Sequence, residues 1–325
     1  MSGWSDGDPV DRPRAMNDAG HHRVPLSHLL LALGVVLVWG TNFTVIRVAL
    51  DELPPLLFAA LRFFFALVPA AFFIRRPAVS WRSLAAYGVL IGVGQFGLLY
   101  IAMDGFISPG LASLVVQSHV FFTIVLAMLF SGEALRPFQI VALSLSVLGI
   151  VLIIEHGDAS ATLFGLALTL VAALCWGIGN HVAKASGATD MLGFVVWASL
   201  FAVPPLFLLA LLAEGWPAIA GAITHAGPTA WAAVLWQSVG NTMFGYAAWG
   251  WLLARHPAAA ITPTAMLVPV VGMATSALVL GEALPAWKIA AAALVIGGLA
   301  LNMLWPRAAR LIVTSRASTP PSPPS

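Results

Sequence analysis

"LVPVVGMATSALVLGEAL" at 267–284 is an apolar run that closes on Gly-Glu-Ala-Leu, and the chain has already written the same four residues within "SGEAL" at 131–135. The likeness continues past the tetrapeptide at one fixed offset, with Ile140 matching Ile289 and Gly149 matching Gly298. Earlier in each half, "VWGTNFTVIR" (38–47) resembles "CWGIGNHVAK" (175–184), so that Trp39-Gly40 and Arg47 align with Trp176-Gly177 and Lys184. The chain is therefore written twice, and what is repeated is apolar.

Composition sets the solvent. Of 325 residues, 60% are apolar and only 9% charged, with a mean hydropathy of +0.94. A soluble domain carries about 25% charged residues, and a single core stops growing beyond about 250–300 residues. Lipid is the medium that accepts so apolar a surface. The formal net charge of +2, spread thinly, gives no reason to expect nucleic acid as a partner, and the single Cys175 excludes an internal disulfide or a thiolate metal cluster. No cofactor or metal is expected.

A bilayer core needs about 20 apolar residues per helix. That ruler gives ten spans, at 28–48, 55–75, 84–104, 109–130, 136–154, 163–184, 192–213, 230–253, 258–280 and 286–305, joined by short loops. The polar stretch 1–27 is expected to be a disordered tail, and so is 306–325, which ends in "STPPSPPS". "LLLALGVVLV" (29–38) imitates a signal-peptide core but reads as an uncleaved first span, since no small-residue cleavage site follows.

Basic residues fix the orientation. With the N-terminus inside, Arg12, Arg14, Arg23, Arg75, Arg76, Arg82, Arg136, Lys184, Arg255, Arg307, Arg310 and Arg316 all fall on the cytoplasmic side. Only Lys288 falls in or beside an outer loop, while Arg47 and Arg62 belong to spans. Both termini are thus expected to be cytoplasmic. Five spans per copy is an odd number, so the second copy enters the membrane upside down. The expected fold is all-α: ten transmembrane helices as two five-helix repeats of inverted topology, 28–154 and 163–305. Transporters use this architecture and bind cargo near the midplane between repeats.

The same residues carry a family resemblance. "VWGTNF", "PPLLFAALRF" (54–63), "GLASLVVQSHVFFT" (110–123) and the run at 267–284, in this order and spacing, resemble the drug/metabolite transporter superfamily, EamA type. The likeness covers about residues 28–305. Within that superfamily, "GQFGLLYIAM" (94–103) and "GLASLV" (110–115) are most similar to exporters of cysteine and O-acetylserine. The resemblance implies a ten-helix fold and efflux of small metabolites across a bacterial inner membrane. His119 departs from that subgroup, which more often has a small or amide residue there.

Candidate site residues are the polar groups placed where lipid would penalise them. Arg62 lies about eight residues into its span, roughly 12 Å deep at ~1.5 Å per residue. A charge at a helix centre costs ~2.5–3.5 kcal/mol on insertion scales, so the guanidinium should face the bundle, either as a carboxylate or phosphate clamp or as a structural bond donor. Gln95, Gln117, His119 and Asn241 sit near the middle of spans 3, 4 and 8; they either join helices or line a shared polar cavity. Trp39, Trp176, Tyr100 and Tyr246 are flat walls with one polar handle each, and tight packing at Gly40 and Gly177 explains the two tryptophans equally well. All the acidic residues fall in loops, tails or helix ends, with Glu133 and Glu282 read as helix caps or partners of basic groups. With no carboxylate at the midplane, His119 is the candidate for proton coupling; otherwise exchange or facilitated flow is the natural cycle.

"GVGQFG" (92–97) satisfies a dinucleotide-binding pattern, but that motif has meaning only between a strand and a helix, and here it lies inside an apolar span. Pro69, Pro204, Pro205, Pro263 and Pro269 are expected to interrupt their spans. The leading function is a secondary transporter exporting small metabolites, with amino acids or derivatives as cargo and a monomer or homodimer in membrane lipid as the working unit. A same-fold carrier of a nucleobase, sugar derivative or drug competes with it. A passive channel or an intramembrane enzyme stands far behind, the latter for want of paired acids or a nucleophile beside a base.

Overall fold

A computed structural model describes residues 24–131, 136–156 and 160–317. Its helices are α1 (Leu26–Ala49), α2 (Pro55–Leu67), α3 (Trp81–Met103), α4 (Pro109–Leu129), α5 (Pro137–Glu155), α6 (Leu163–Ser186), α7 (Met191–Ala213), α8 (Trp216–His225), α9 (Pro228–Arg255), α10 (Thr262–Leu280) and α11 (Ala286–Ala317). No strand occurs among the described residues, only an isolated bridge between Ile107 and Ala161. Proline opens α2, α4, α5 and α9, where its missing N–H is no loss. Ser80, Thr162 and Asp190 each accept a backbone N–H at the start of α3, α6 and α7.

Nine described helices are long and apolar enough to cross a bilayer. α9 qualifies only together with α8, from which it is bent by 99°. The expected eighth span is thus present but unusually polar, and the loop expected before it contains α8. Two further expectations are corrected. The last helix continues through Pro306 to Ala317, where a tail was expected from 306. Pro204 and Pro205 lie inside an unbroken α7, since a proline withdraws one donor and its neighbours keep the helix. Pro69 and Pro263 do mark departures, standing beside or within 3-10 turns at Ala70–Phe72 and Thr262–Leu267, and Pro269 opens the regular part of α10.

The helices interlock across the two halves. α1 packs on α10 and α4 on α6; α2 packs on α7, and α5 on α11. Matched glycines make the closest approaches. A Cβ on Gly40 would meet Val271 at 2.5 Å and the Val268 carbonyl at 3.0 Å; on Gly177 it would meet Phe122 at 3.0 Å and the His119 carbonyl at 3.4 Å. Gly149 abuts Val295 and the Ala291 carbonyl, while Gly298 abuts Ser146 and the Ala142 carbonyl. These contacts are reciprocal: each glycine meets the counterparts of the residues its twin meets. They also run in opposite senses, so α5 and α11 are antiparallel. Small residues let backbones touch where lipid supplies no hydrophobic drive.

Irregular helix recurs in register. The third span of each half, α3 and α9, contains a π-helical segment, Leu90–Gly97 and Trp236–Phe244. The fourth span of each half, α4 and α10, contains a 3-10 segment, Val116–Ser118 and Thr262–Leu267.

Candidate functional site

The two π segments carry a second repeat. "VGQFGLLY" (93–100) and "VGNTMFGY" (239–246) share Val-Gly, then an amide, then a tyrosine five residues on. Gln95 and Asn241 are counterparts, and so are Tyr100 and Tyr246. π turns concentrate at functional sites because an extra residue in the ladder re-aims the side chains that follow. The two amides lie within the π segments and the two tyrosines two or three residues past their ends.

Arg62 occupies the gap between them. It is 1% exposed. Its Nη1 donates to the Tyr100 hydroxyl at 3.2 Å and its Nη2 to the Thr242 hydroxyl at 3.3 Å. The guanidinium lies 3.6 Å from the centroid of Phe96 and 5.3 Å from that of Phe63, contacts in which a cation meets the negative face of a ring. Its Nε has no hydrogen-bond partner. Among the described residues no carboxylate pairs with it; the ion pairs are Arg47–Asp51 and Lys288–Glu282. Behind the ring of Tyr100 stands Phe58, 5.0 Å between centroids.

α9 supplies the opposite wall. The Asn241 amide donates to the Gln237 side chain at 3.3 Å, leaving Gln237 Nε2 buried without a partner. The Thr242 hydroxyl donates to the Gln237 carbonyl, and that of Ser238 to the Arg62 carbonyl. Trp39 Nε1 donates to the Asn241 carbonyl at 3.2 Å, and its ring lies 6.1 Å from Tyr246 and 5.3 Å from Trp249. Gly245 has no Cβ because the Trp39 indole occupies that space. Asn42, one turn along from Trp39, buries an unpartnered Oδ1.

Arg62, Tyr100, Asn241, Trp39 and Tyr246 thus form one continuous group. His119 and Trp176 form a second, stacked at 3.7 Å with the rings 21° apart, and His119 Nδ1 has no hydrogen-bond partner. Gln95 and Gln117 are buried, and among the described residues their amides make no hydrogen bond. Phe96, Thr242, Gln237 and Ser238 escaped the sequence reading. The matched Val-Gly-amide-Tyr pattern is the signal that finds their windows.

A second polar cluster lies at the helix ends. Glu282 accepts from Ser108 and Ser276, both at 2.5 Å, from the Gly110 backbone N–H at 3.0 Å and from Lys288 at 3.1 Å. Gly281, just before it, ends α10 at φ +69°, a left-handed conformation that favours glycine. Glycine stops the helix and the glutamate reaches across to cap α4, as expected of Glu282; Glu133 and its Gly-Glu-Ala-Leu copy lie outside the described residues. Lys288, expected in or beside an outer loop, stands in the first turn of α11, 2% exposed and paired with Glu282. A cavity of about 350 Å³ opens beside this cluster, lined also by Arg47 and Asp51.

The profile of the EamA-like transporter family matches this chain twice, over residues 26–155 and 163–304. A probable amino-acid metabolite efflux pump of Salmonella typhimurium is 38% identical over 89% of this chain and 97% of its own length. One of the same description from Escherichia coli K12 is 35% identical over 87% and 97%. A probable terminal-alkyne amino-acid exporter of Streptantibioticus cattleyicolor is 26% identical over 82% and 90%. A solved crystal structure of a protein 18% identical superposes with a TM-score of 0.60, covering 87% of this chain and 99% of that one, a likeness of fold alone. With its apolar helices, its twofold profile match and these relatives, the chain belongs to the EamA-like transporter family, multi-pass membrane transporters of the drug/metabolite transporter superfamily.

Proposed function

We propose that this protein is a secondary transporter that exports small amino-acid metabolites, cysteine and O-acetylserine being the best candidates, by alternating access. The observation that carries the reading is the pair of matched π segments, from which Phe96 and, just beyond it, Tyr100 meet Arg62 on one side and Thr242 on the other. A carrier needs one polar site reachable in turn from two sides, and equivalent windows from two halves supply it. The reciprocal glycine contacts and the antiparallel α5–α11 pair support repeats of inverted topology, and the basic-residue bias supports cytoplasmic termini in a bacterial inner membrane. The names of the relatives favour amino-acid cargo. The working unit is a monomer or homodimer, and the driving energy is a gradient, with His119 as the group that would carry a proton. Cells overproducing the protein, loaded with a panel of amino acids and thiol metabolites, should lose cysteine or O-acetylserine to the medium several times faster than cells without it. Gln95→Ala and Asn241→Ala should each reduce that rate at equal membrane abundance. Preferential efflux of a nucleobase, sugar derivative or drug would assign another cargo, and no efflux of any would overturn the reading.

A further inference from the structure

We infer that Arg62 is the anchoring cation for a single carboxylate on the substrate, and that the site recognises this carboxylate without requiring a free amino group. The inference rests on the export reading above and says which chemical feature of the cargo the site reads.

Arg62 is buried among neutral groups, in spans whose described acidic residues all stand at helix ends or beyond. A buried charge is tolerable when paired and hydrogen-bonded, and this one is neither fully. Of five guanidinium N–H donors, the described protein engages one on each terminal nitrogen, at 3.2 and 3.3 Å. Charge-assisted bonds to a carboxylate run about 2.7–2.9 Å, so both are weak placeholders that a stronger acceptor would outcompete. Nε has none. Phe96 covers one face of the guanidinium plane at 3.6 Å, and the N–H groups point outward in that plane, so an acceptor meets them along the edge. A carboxylate fits that edge in the forked geometry specific to arginine.

A single positive charge also limits the ligand. No second Lys or Arg contacts this group among the described residues, so a phosphate monoester, carrying about −1.5 to −2, would leave net negative charge in a low-dielectric interior. Among the described residues the site presents no acid to an ammonium. The faces of Trp39 and Tyr246 can accept a cation, at about 0.5–2 kcal/mol, and Asn241 is bonded to Gln237 within the protein. An ammonium is thus tolerated rather than demanded. A zwitterion and its N-acetyl derivative should both bind; a methyl ester or carboxamide, which keeps the amine but loses the anion, should not.

Thermal unfolding of the purified full chain in detergent tests this with a panel of proteinogenic amino acids, the same compounds N-acetylated, and the same compounds as methyl esters and carboxamides. At least one amino acid and its N-acetyl form should raise the unfolding temperature, with half-saturating concentrations within about tenfold of each other. Its ester and amide should bind at least about tenfold more weakly. Arg62→Ala should remove the response to the acids, and Arg62→Lys should restore part of it. Equal responses to ester and acid would overturn the inference, as would loss of binding on N-acetylation, stabilisation by inorganic phosphate but by no carboxylate, or no response to any acid. The ligand series is read on the unaltered protein, so a variant that fails to fold does not blunt the test. Counterflow in proteoliposomes separates the two readings. Counterflow without the charge order overturns the carboxylate inference alone, whereas the charge order in binding with no counterflow overturns export alone.

Discussion

His119 stacks flat on Trp176 while its Nδ1 lies buried without a partner. An imidazole so placed can take a proton only if water or substrate reaches it, and the indole face would then repay part of the cost, about 0.5–2 kcal/mol. With no carboxylate in the middle of the described spans, a proton-coupled cycle would use His119 or no side chain at the bilayer centre. In proteoliposomes, His119→Gln is expected to abolish stimulation by an imposed pH gradient while keeping counterflow of labelled substrate. A gradient that drives the variant as well as the parent would remove His119 from the cycle. Legibility at this scale was uneven. The depth of Arg62 could be counted from its span, and its burial follows from what a lone charge costs in lipid. Its partners could not, because Tyr100 stands just past one π segment and Thr242 within the other, and each extra residue in the ladder breaks the 3.6-residue phasing used to assign faces. Gln117 lies within a 3-10 turn and His119 directly after it, and both suffer the same loss of phase.

Carboxylates cap helices across elements, and they do so on one face only among the described residues. Glu214 at the end of α7 accepts the N–H groups of Leu56 and Leu57 at the start of α2; Glu282 caps α4 through Gly110; Glu52 accepts the N–H of Gly227 ahead of α9. Successive spans alternate direction, so all three caps lie on the face that carries the α1–α2, α3–α4, α7–α8–α9 and α10–α11 turns. Each anion sits at the positive end of a helix dipole. Glu282 is the most committed. Burial alone would raise its pKa, but bonds from Ser108, Ser276, Gly110 and Lys288 outweigh it and hold the carboxyl below its ordinary value. A depressed carboxyl contributes stability above its unfolded pKa, near 4.3, and loses it as pH falls through the folded value. Glu214 runs the other way: burial raises its pKa despite the Leu56 and Leu57 bonds, so its contribution is present below the unfolded value and is lost as pH rises through the folded one. Glu282→Gln should therefore lower stability at neutral pH by about 3–5 kcal/mol, since it strands the buried Lys288. It should also flatten the fall of unfolding temperature below about pH 4. An unchanged acid limb would show that Glu282 is not what acid releases. The sequence signalled this cap by repeating Gly-Glu-Ala-Leu, whereas the Glu214 and Glu52 caps repeat nothing and so were invisible.

At the scale of the molecule, the repeat read from a few matched residues reappears as contact geometry. Trp39-Gly40 and Trp176-Gly177 were aligned by identity alone, and their glycines prove to seat against equivalent residues, Val268 with Val271 and His119 with Phe122. The span boundaries were legible because hydropathy and proline starts both report them. α8 was not, being short and set at 99° to its neighbour, and neither was the extension of α11 past Pro306. Inverted topology makes a demand that packing alone does not. Residue 131 ends the fourth span and Leu280 the ninth, and five spans intervene, so the two must face opposite sides of the membrane. The basic residues then predict which: Ser131 cytoplasmic, Leu280 outside. Replacing Cys175 by serine and introducing cysteine singly at Ser131 or Leu280 allows each to be labelled with a membrane-impermeant thiol reagent. In intact cells Leu280→Cys should react and Ser131→Cys should not, and in inverted membrane vesicles the pattern should reverse. Reaction of both from the same side would require an even number of crossings between them and would sink the inverted repeat. Opposite sides with the pattern exchanged would preserve the repeat but overturn the cytoplasmic assignment of the termini.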